Sequence, residues 1–208
     1  GRALVDHALD RVAEAGIPRA AVNLHHMGDM LAAHLAGRTR PEVALSREDG
    51  VLLDTGGGVA RAHRAGLLGD GAFAVLNSDA IWTGASPLRR LAGAWASGGM
   101  DALMLLVPRE RARGYSRAGD FFLDADGAAP LRRGEAEAAP YVFTGAEILS
   151  PLALGGVPGG PFSLNTVWDR LLAAGRLAAV VHEGAWVDVG TPAGIAEAEA
   201  ALAEEAGA

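Results

Sequence analysis

The sequence predicts an α/β fold in which helices cover both faces of a mostly parallel sheet. Segments with helical spacing of apolar residues alternate with short apolar runs along the first half of the chain. This alternation is typical of strands joined by helical crossovers, which produce parallel pairs. Two of the apolar runs, residues 73–76 and 102–107, are nearly uninterrupted and therefore indicate central strands that are buried on both faces.

The first half of the chain supplies four helices and four strands in alternating order. Leu4, Val5 and Ala8 share one helical face, and Gly16 is a favourable residue to end that helix. Another helix is entered through three consecutive glycines. The predicted helices cover residues 3–15, 28–35, 58–67 and 87–95, and the predicted strands cover residues 20–24, 42–45, 73–76 and 102–107.

After Pro108 the pattern changes, and the second half predicts a smaller mixed sheet laid against the first. Residues 121–127 are typical of a strand that runs into a turn. We expect a single domain with two halves, 1–108 and 109–208. No hexapeptide repeat follows the last strand, so we expect no appended β-helix and a monomer. The other predicted elements are strands at 141–143, 178–181 and 186–189 and helices at 168–174 and 192–203.

The composition excludes several classes of function. A net charge of -7 argues against a nucleic-acid partner, because a phosphate backbone requires a basic face. A phosphorylated small molecule needs only a local positive site. The absence of cysteine excludes disulfides, zinc–thiolate sites and thiol nucleophiles. No apolar run approaches membrane-spanning length and the N-terminus does not resemble a signal peptide, so we expect a cytoplasmic protein without a membrane partner.

Asp79 is the strongest candidate for a residue that carries chemistry. It follows the apolar run 73–76 after Asn77 and Ser78. Open α/β sheets bind ligands at the carboxyl ends of their central strands, and a carboxylate there is costly without a cation or a donor. A divalent metal that holds phosphate oxygens would meet this requirement. The alternative is a helix N-cap, with the helix starting at Ala80.

Asp188 places a second carboxylate at the end of a predicted strand. Gly190 permits a tight turn after it, and Thr191 with Pro192 favours the start of the final helix. Two aspartates from two strand ends could share one Mg2+, which prefers few carboxylates together with substrate phosphates. The alternative is a turn carboxylate that accepts hydrogen bonds from nearby N–H groups.

The triple glycine Gly56, Gly57 and Gly58 follows Thr55 at the predicted entrance to a helix. Without Cβ atoms, its backbone N–H groups can approach a flat ligand closely, and the helix N-terminus adds partial positive charge. A base or a phosphate could bind there. The alternative is a flexible surface turn that Thr55 caps.

Other polar clusters favour structural roles. Arg109, Arg111 and Arg113 form a basic loop, for which a solvated face is favoured over phosphate binding. His25 and His26 are neighbours at a strand end and point to opposite faces, so they make a poor chelating pair.

Several of these motifs, in this order, resemble the sugar-1-phosphate nucleotidyltransferases. The closer likeness is to a small bacterial branch that includes N-acetylmuramate 1-phosphate uridylyltransferases and mannose-1-phosphate guanylyltransferase-like proteins. The resemblance covers essentially the whole chain and implies a Rossmann-like fold of the nucleotide-diphospho-sugar transferase type. It also implies that 1–108 is the nucleotide-binding half and 109–208 the sugar-phosphate-binding half. The likeness is carried by residues 22–26, 52–59, 73–82, 141–149 and 186–192.

The resemblance implies an activity as well as a fold. Such an enzyme joins a sugar 1-phosphate to a nucleoside monophosphate taken from a triphosphate, releases pyrophosphate and uses Mg2+. UTP and N-acetylmuramic acid 1-phosphate are the favoured pair, which indicates peptidoglycan recycling, and GTP with mannose 1-phosphate is the alternative. A glycosyltransferase of related architecture is less favoured, because those enzymes usually carry two nearby aspartates where this chain has Asn77 and Asp79.

The family pattern assigns roles by position. Asp79 and Asp188 would be the catalytic carboxylates that hold Mg2+. The other implied contacts are to the nucleotide at Thr55, Gly56, Gly57, Gly58 and Asn77, and to the sugar phosphate at Gly119, Asp120, Thr144, Gly145 and Asn165.

The chain departs from the family pattern in two places. Relatives carry a Glu-Lys pair before the strand at 141–143, whereas no Lys follows Glu137, which leaves the phosphate contact without a candidate. Relatives also carry a Gly-rich loop with an Arg and a Lys just upstream of a segment like 1–4. We expect that loop and its strand to have been clipped from the N-terminus. A molecule without them would instead be a non-catalytic domain that binds a nucleotide sugar.

Overall fold

The computed structural model describes residues 1–48, 50–96 and 99–207, and it confirms the predicted α/β class. The helices are α1 (Leu4–Glu14), α2 (Gly28–Leu35), α3 (Asp54–Arg64), α4 (Pro87–Ala94), α5 (Leu164–Ala173) and α6 (Pro192–Ala206). The strands are β1 (Arg19–Leu24), β2 (Glu42–Arg47), β3 (Phe73–Leu76), β4 (Ala80–Trp82), β5 (Ala102–Pro108), β6 (Ala112–Arg113), β7 (Phe121–Leu123), β8 (Pro130–Arg132), β9 (Tyr141–Leu149), β10 (Leu177–Val181) and β11 (Trp186–Asp188). Among these helices, none is long and apolar enough to cross a membrane.

The largest sheet is organised around β9. This strand is antiparallel to β5 on one side and to β3 and β7 on the other, so that Ile148 is opposite both Leu103 and Ala74. β10 extends the sheet parallel to β5, and β8 extends it beyond β7. The strand predicted at 141–143 therefore continues to Leu149 and enters the sheet of the first half. The mixed sheet expected for the second half is therefore continuous with strands of the first half, and the pairs that β9 forms are antiparallel.

The core lies on both faces of this shared sheet, as the sequence predicts. Met104 and Leu106 of β5 pack into one cluster with α3 and α5. Leu103, Leu105 and Val107, which alternate with them, pack on the opposite face with α4. All five side chains are at most 2% exposed, so the apolar run of β5 is explained by a strand covered on both sides.

Two smaller sheets complete the fold. β1 and β2 form a parallel pair, and β11 lies between β4 and β6. β4 is a strand, so the predicted alternative in which Asp79 caps a helix is wrong. Tertiary packing decides against a helix here. Pairing with β11 buries Ile81 and Trp82, which are 3% and 1% exposed.

Two helices begin earlier than the sequence predicts. α3 begins at Asp54 and not at Gly58. α5 begins at Leu164 and not at Trp168, because the Ser163 hydroxyl accepts a hydrogen bond from Asn165 N at 3.3 Å and caps the first turn.

A carboxyl group, Glu147, is enclosed in the core of the shared sheet. Its side chain is 0% exposed, and Oε2 accepts a hydrogen bond from Trp168 Nε1 at 2.9 Å. Oε1 has no hydrogen-bond partner among the described residues. Burial raises the pKa of Glu147 to about 8, although the bond from Trp168 opposes the shift. The folded protein therefore holds this carboxyl group protonated at neutral pH.

We expect Glu147→Gln to stabilise the protein at alkaline pH. Between the ordinary pKa of 4.5 and the native value of about 8, the folded protein keeps a proton that the unfolded chain releases. The free energy of unfolding therefore falls as pH rises through this window, by up to about 1.4 kcal/mol per pH unit. Glutamine keeps an acceptor for Trp168 and removes this dependence.

Urea denaturation across that pH window measures the effect. Glu137→Gln is the matched control, because Glu137 is exposed and forms no interaction within the described chain. Parallel pH profiles for the wild type and Glu147→Gln would contradict a protonated Glu147.

Candidate active site

The pairing of β4 with β11 brings the backbones of the two candidate metal residues to neighbouring positions. Ala80 is opposite Asp188 in the antiparallel register, and Val189 N donates a hydrogen bond to Asp79 O at 2.9 Å. Asp79 and Asp188 therefore lie one residue apart along the same end of the small sheet. The sequence predicts two strand-end aspartates close together, and the strand register places their backbones side by side. Their binding of a shared ion stays a prediction.

The two carboxylates differ in what they already bind. Asp188 Oδ1 accepts from Gly190 N at 3.0 Å, and Oδ2 lies 3.5 Å from Arg117 Nη2. The turn role predicted as an alternative for Asp188 is thus present. The Asp79 carboxylate is exposed and forms no hydrogen bond or ion pair through its side chain within the described chain. The carboxylate of Asp79 thus has no partner within the described chain, whereas both oxygens of Asp188 already have one.

This donor set fits Mg2+. Both residues offer hard carboxylate oxygens, and Mg2+ usually takes one or two carboxylates and completes its shell with water and substrate phosphates. Residues 1–48, 50–96 and 99–207 contain no group of three or more His, Asp or Glu side chains that could hold an ion. Metal binding by Asp79 and Asp188 would therefore depend on phosphate oxygens from a ligand.

The triple glycine lies inside the first turns of α3 and is packed by protein. A Cβ on Gly56 would lie 2.3 Å from the Phe162 ring, and one on Gly57 would lie 2.9 Å from Gly160 O. All three glycines are buried, so the predicted alternative of a flexible surface turn is wrong. Glycine is required here because the segment 160–162 and two polar side chains approach α3 too closely for a Cβ atom.

Those two polar side chains, Asn23 and Glu48, were missed as candidates. A Cβ on Gly58 would lie 2.3 Å from Asn23 Nδ2 and 2.7 Å from Glu48 Oε1. Glu48 is 6% exposed, and its Oε2 accepts from Leu53 N at 3.0 Å. Asn23 lies near the end of β1 and Glu48 directly follows β2, so the rule that selected Asp79 would also have found them.

The N-termini of α3 and α5 are tied together. The Thr55 hydroxyl oxygen accepts a hydrogen bond from Leu164 N at 3.1 Å. Asn165, the next residue of α5, is exposed and donates from Nδ2 to Ser163 Oγ at 3.1 Å. A candidate nucleotide residue and a candidate sugar residue thus come from adjoining helix ends.

Asn77 and Gly145 are in direct contact between β3 and β9. Asn77 N donates to Gly145 O at 2.8 Å. Gly145 has a φ of +79°, and a Cβ there would lie 2.8 Å from Asn77 Cβ, so both conformation and space require glycine. Neighbouring Thr144 is fully buried, and its hydroxyl donates to Leu105 O at 2.9 Å. The structure therefore directs the Thr144 side chain into the core and away from any ligand.

Gly119 and Asp120 fasten a loop onto β9. Asp120 Oδ2 accepts from Phe143 N at 3.0 Å. Gly119 has a φ of +84°, and a Cβ there would lie 2.1 Å from Ala139 O. These contacts explain why a glycine and an aspartate occupy these two positions, without any contact to a ligand. They also fix the position of the loop beside β9.

Tyr115 and Arg117, which the sequence reasoning also missed, link this loop to Asp188. The Tyr115 hydroxyl donates to Asp120 Oδ1 at 3.3 Å, and burial raises the pKa of Tyr115, with Asp120 adding to the shift. The Arg117 guanidinium lies 4.8 Å from the centroid of the Tyr115 ring and 3.5 Å from Asp188 Oδ2. No spacing signal marks Arg117, because its position depends on the folded loop.

Two arginines of the basic loop bind other parts of the chain, which the expected solvated face did not include. Arg113 forms an ion pair with Glu204 at 2.9 Å, and Arg111 Nη1 donates to Glu183 O at 3.3 Å. The arginine that approaches a candidate carboxylate is therefore Arg117 and not a member of this loop.

Solved structures define the class of fold. HddC from Yersinia pseudotuberculosis superposes with a TM-score of 0.72 at 19% identity, covering 93% of this chain and 83% of that one. A UDP-glucose pyrophosphorylase complexed with UDP-glucose gives a TM-score of 0.70 at 15% identity, covering 97% of this chain and 86% of that one. No protein-family model matches the chain. The likeness establishes the fold, which is of the nucleotide-diphospho-sugar transferase type.

Sequence similarity then establishes the family. The chain is 39% identical to an N-acetylmuramate alpha-1-phosphate uridylyltransferase of Caulobacter vibrioides, across 98% of this chain and 86% of the relative. The protein belongs to the sugar-1-phosphate nucleotidyltransferase family and is an enzyme of that class. The resemblance predicted from the motifs is confirmed.

We expect Gly56→Ala to destabilise the protein by about 1–3 kcal/mol, the usual cost of overpacking a filled site. The added methyl group would overlap the Phe162 ring and also approach Phe162 O at 2.9 Å. Gly93→Ala in α4 is the matched control, because a Cβ there meets nothing within 4 Å. That control should be stabilising by about 0.5–1 kcal/mol, since alanine favours a helix over glycine.

Urea denaturation of both variants measures these changes. A Gly56→Ala protein as stable as the wild type would show that α3 and residue 162 are not in the described contact.

Proposed function

We propose that the protein is a Mg2+-dependent uridylyltransferase that joins N-acetylmuramic acid 1-phosphate to UMP from UTP and releases pyrophosphate. The observation that supports the proposal is that Asp79 and Asp188 lie at neighbouring strand ends, one residue apart in the register of β4 and β11, in a member of this family. The choice of uracil and of the sugar is supported by the name of the C. vibrioides relative. GTP with mannose 1-phosphate is the competing substrate pair.

The proposed chemistry is an in-line displacement. An oxygen of the sugar phosphate attacks the α-phosphorus of UTP, and the new P–O bond forms as the bond to pyrophosphate breaks. When bound, Mg2+ would neutralise phosphate charge and orient the phosphates. Catalysis is then mostly positioning and electrostatic stabilisation, so the enzyme needs no covalent intermediate.

Different residues of the chain would position the metal ion, the nucleotide and the sugar phosphate. Asp79 and Asp188 would hold the ion, and the start of α3 with Asn77 would contact the nucleotide. Gly145 and Asn165 would border the sugar phosphate. No Lys follows Glu137 to contact the sugar phosphate. Arg117 would supply that positive charge instead, because its guanidinium is exposed and lies beside Asp188.

A pyrophosphate-release assay tests the proposal. UTP and GTP are each combined with N-acetylmuramic acid 1-phosphate and with mannose 1-phosphate, with Mg2+ or with EDTA. We expect turnover with UTP and N-acetylmuramic acid 1-phosphate, and only with Mg2+. Turnover restricted to GTP would favour the guanylyltransferase alternative. Binding of a UDP-sugar without release from any pair would favour a non-catalytic binding domain.

We expect Asp79→Asn to lower kcat by at least about 100-fold, because a charged ligand to the metal is lost from the transition state. Folding should be unchanged, since the Asp79 side chain is exposed and forms no hydrogen bond or ion pair within the described chain. Asp126→Asn, at an exposed position in the turn after β7, is the matched control and should keep full activity. Near-normal turnover of Asp79→Asn with Mg2+ would overturn the metal assignment.

A further inference from the structure

Three arginines lie together outside the candidate active site. A groove with a volume of about 490 Å³ runs between the end of β2 and the C-terminal half of α3. Its polar lining consists of Ser46, Arg47, Arg61 and Arg64, and these residues define what we call the arginine groove. None of them carries a role in the chemistry proposed for Asp79.

The guanidinium groups of the arginine groove are only partly compensated. Arg47 pairs with Asp29 at 2.8 Å, but Asp29 is 91% exposed, so water screens the pair strongly. Arg64 Nη2 donates to Pro158 O at 2.9 Å, which leaves its charge uncompensated. Arg61 is exposed and has no hydrogen bond or ion pair within the described chain. The groove thus concentrates positive charge on a chain whose net charge is -7.

The hydroxyl of Ser46 is enclosed by the protein and out of reach of a ligand in the groove. Ser46 is 4% exposed, and its hydroxyl forms no hydrogen bond with the described residues. The groups available to a ligand are therefore the three arginines.

We propose that the arginine groove binds a small molecule that carries a pyrophosphate group. Guanidinium groups match phosphate oxygens through paired N–H donors, which makes arginine the preferred cation for such groups. Arg61 and Arg64 are three residues apart on α3, so both reach the same side of the helix. The volume of the groove falls within the range of small-molecule sites, about 300–1,000 Å³.

Calorimetric titration of the protein with inorganic pyrophosphate, in EDTA and at low salt, tests this site. EDTA removes the divalent ion on which binding at Asp79 and Asp188 would depend. We expect one saturable site whose affinity falls as salt rises. Titration with UDP in parallel distinguishes the source of the group: tighter binding of UDP would indicate a nucleotide, and equal or weaker binding would indicate pyrophosphate itself.

Arg61→Gln is the decisive variant, because Arg61 forms no polar contact whose loss could unfold the protein. We expect it to weaken pyrophosphate binding several-fold, and Arg61→Gln/Arg64→Gln to weaken it at least about tenfold, a loss of about 1.4 kcal/mol. Arg90→Gln, an exposed change on α4, is the matched control and should bind like the wild type.

Two results would overturn the proposal. One is the absence of saturable pyrophosphate binding by the wild type in EDTA. The other is binding that Arg61→Gln and the double variant leave intact, above all if Asp79→Asn/Asp188→Asn abolishes it, because the anion would then occupy the active site.

Discussion

The antiparallel pairing of β9 with both β3 and β5 is the constraint on which the rest of the molecule depends. It joins the two halves of the chain in one sheet and places Gly145 against Asn77. The carbonyl of Thr144, in the same strand, accepts a hydrogen bond from Trp186 Nε1 at 2.9 Å. Because Trp186 begins β11, this bond also helps to fix the strand that carries Asp188.

Apolar periodicity predicted most of the helices and strands, because burial of one face or of both leaves a regular trace in a sequence. α2 and β3 have the predicted bounds. The second half of β9 left no such trace, since Thr144, Gly145 and Glu147 interrupt its apolar residues. These polar groups are tolerated only because distant residues enclose them: Leu105 O accepts from Thr144, and Trp168 donates to Glu147.

The residues of the candidate site likewise fall into those that a local sequence pattern marks and those that depend on distant parts of the chain. Asp79 and Asp188 could be proposed from the sequence, because polar residues at the carboxyl ends of strands follow a general rule of α/β sheets. The close packing that requires Gly56 could not, because it depends on Phe162, which is far away in the chain. Local reasoning likewise offered a helix after Asp79 and missed β4, since that strand forms by pairing with β11.

A crystal structure of the protein with Mn2+ and a UDP-sugar would test the central claim most directly, namely that one divalent ion joins Asp79 and Asp188 to the phosphates. Mn2+ takes the same oxygen ligands as Mg2+ and can be located by its anomalous scattering. We predict one anomalous peak in direct contact with both carboxylates and with phosphate oxygens. A peak that contacts neither aspartate, or phosphates bound with both carboxylates turned away from the ion, would contradict it.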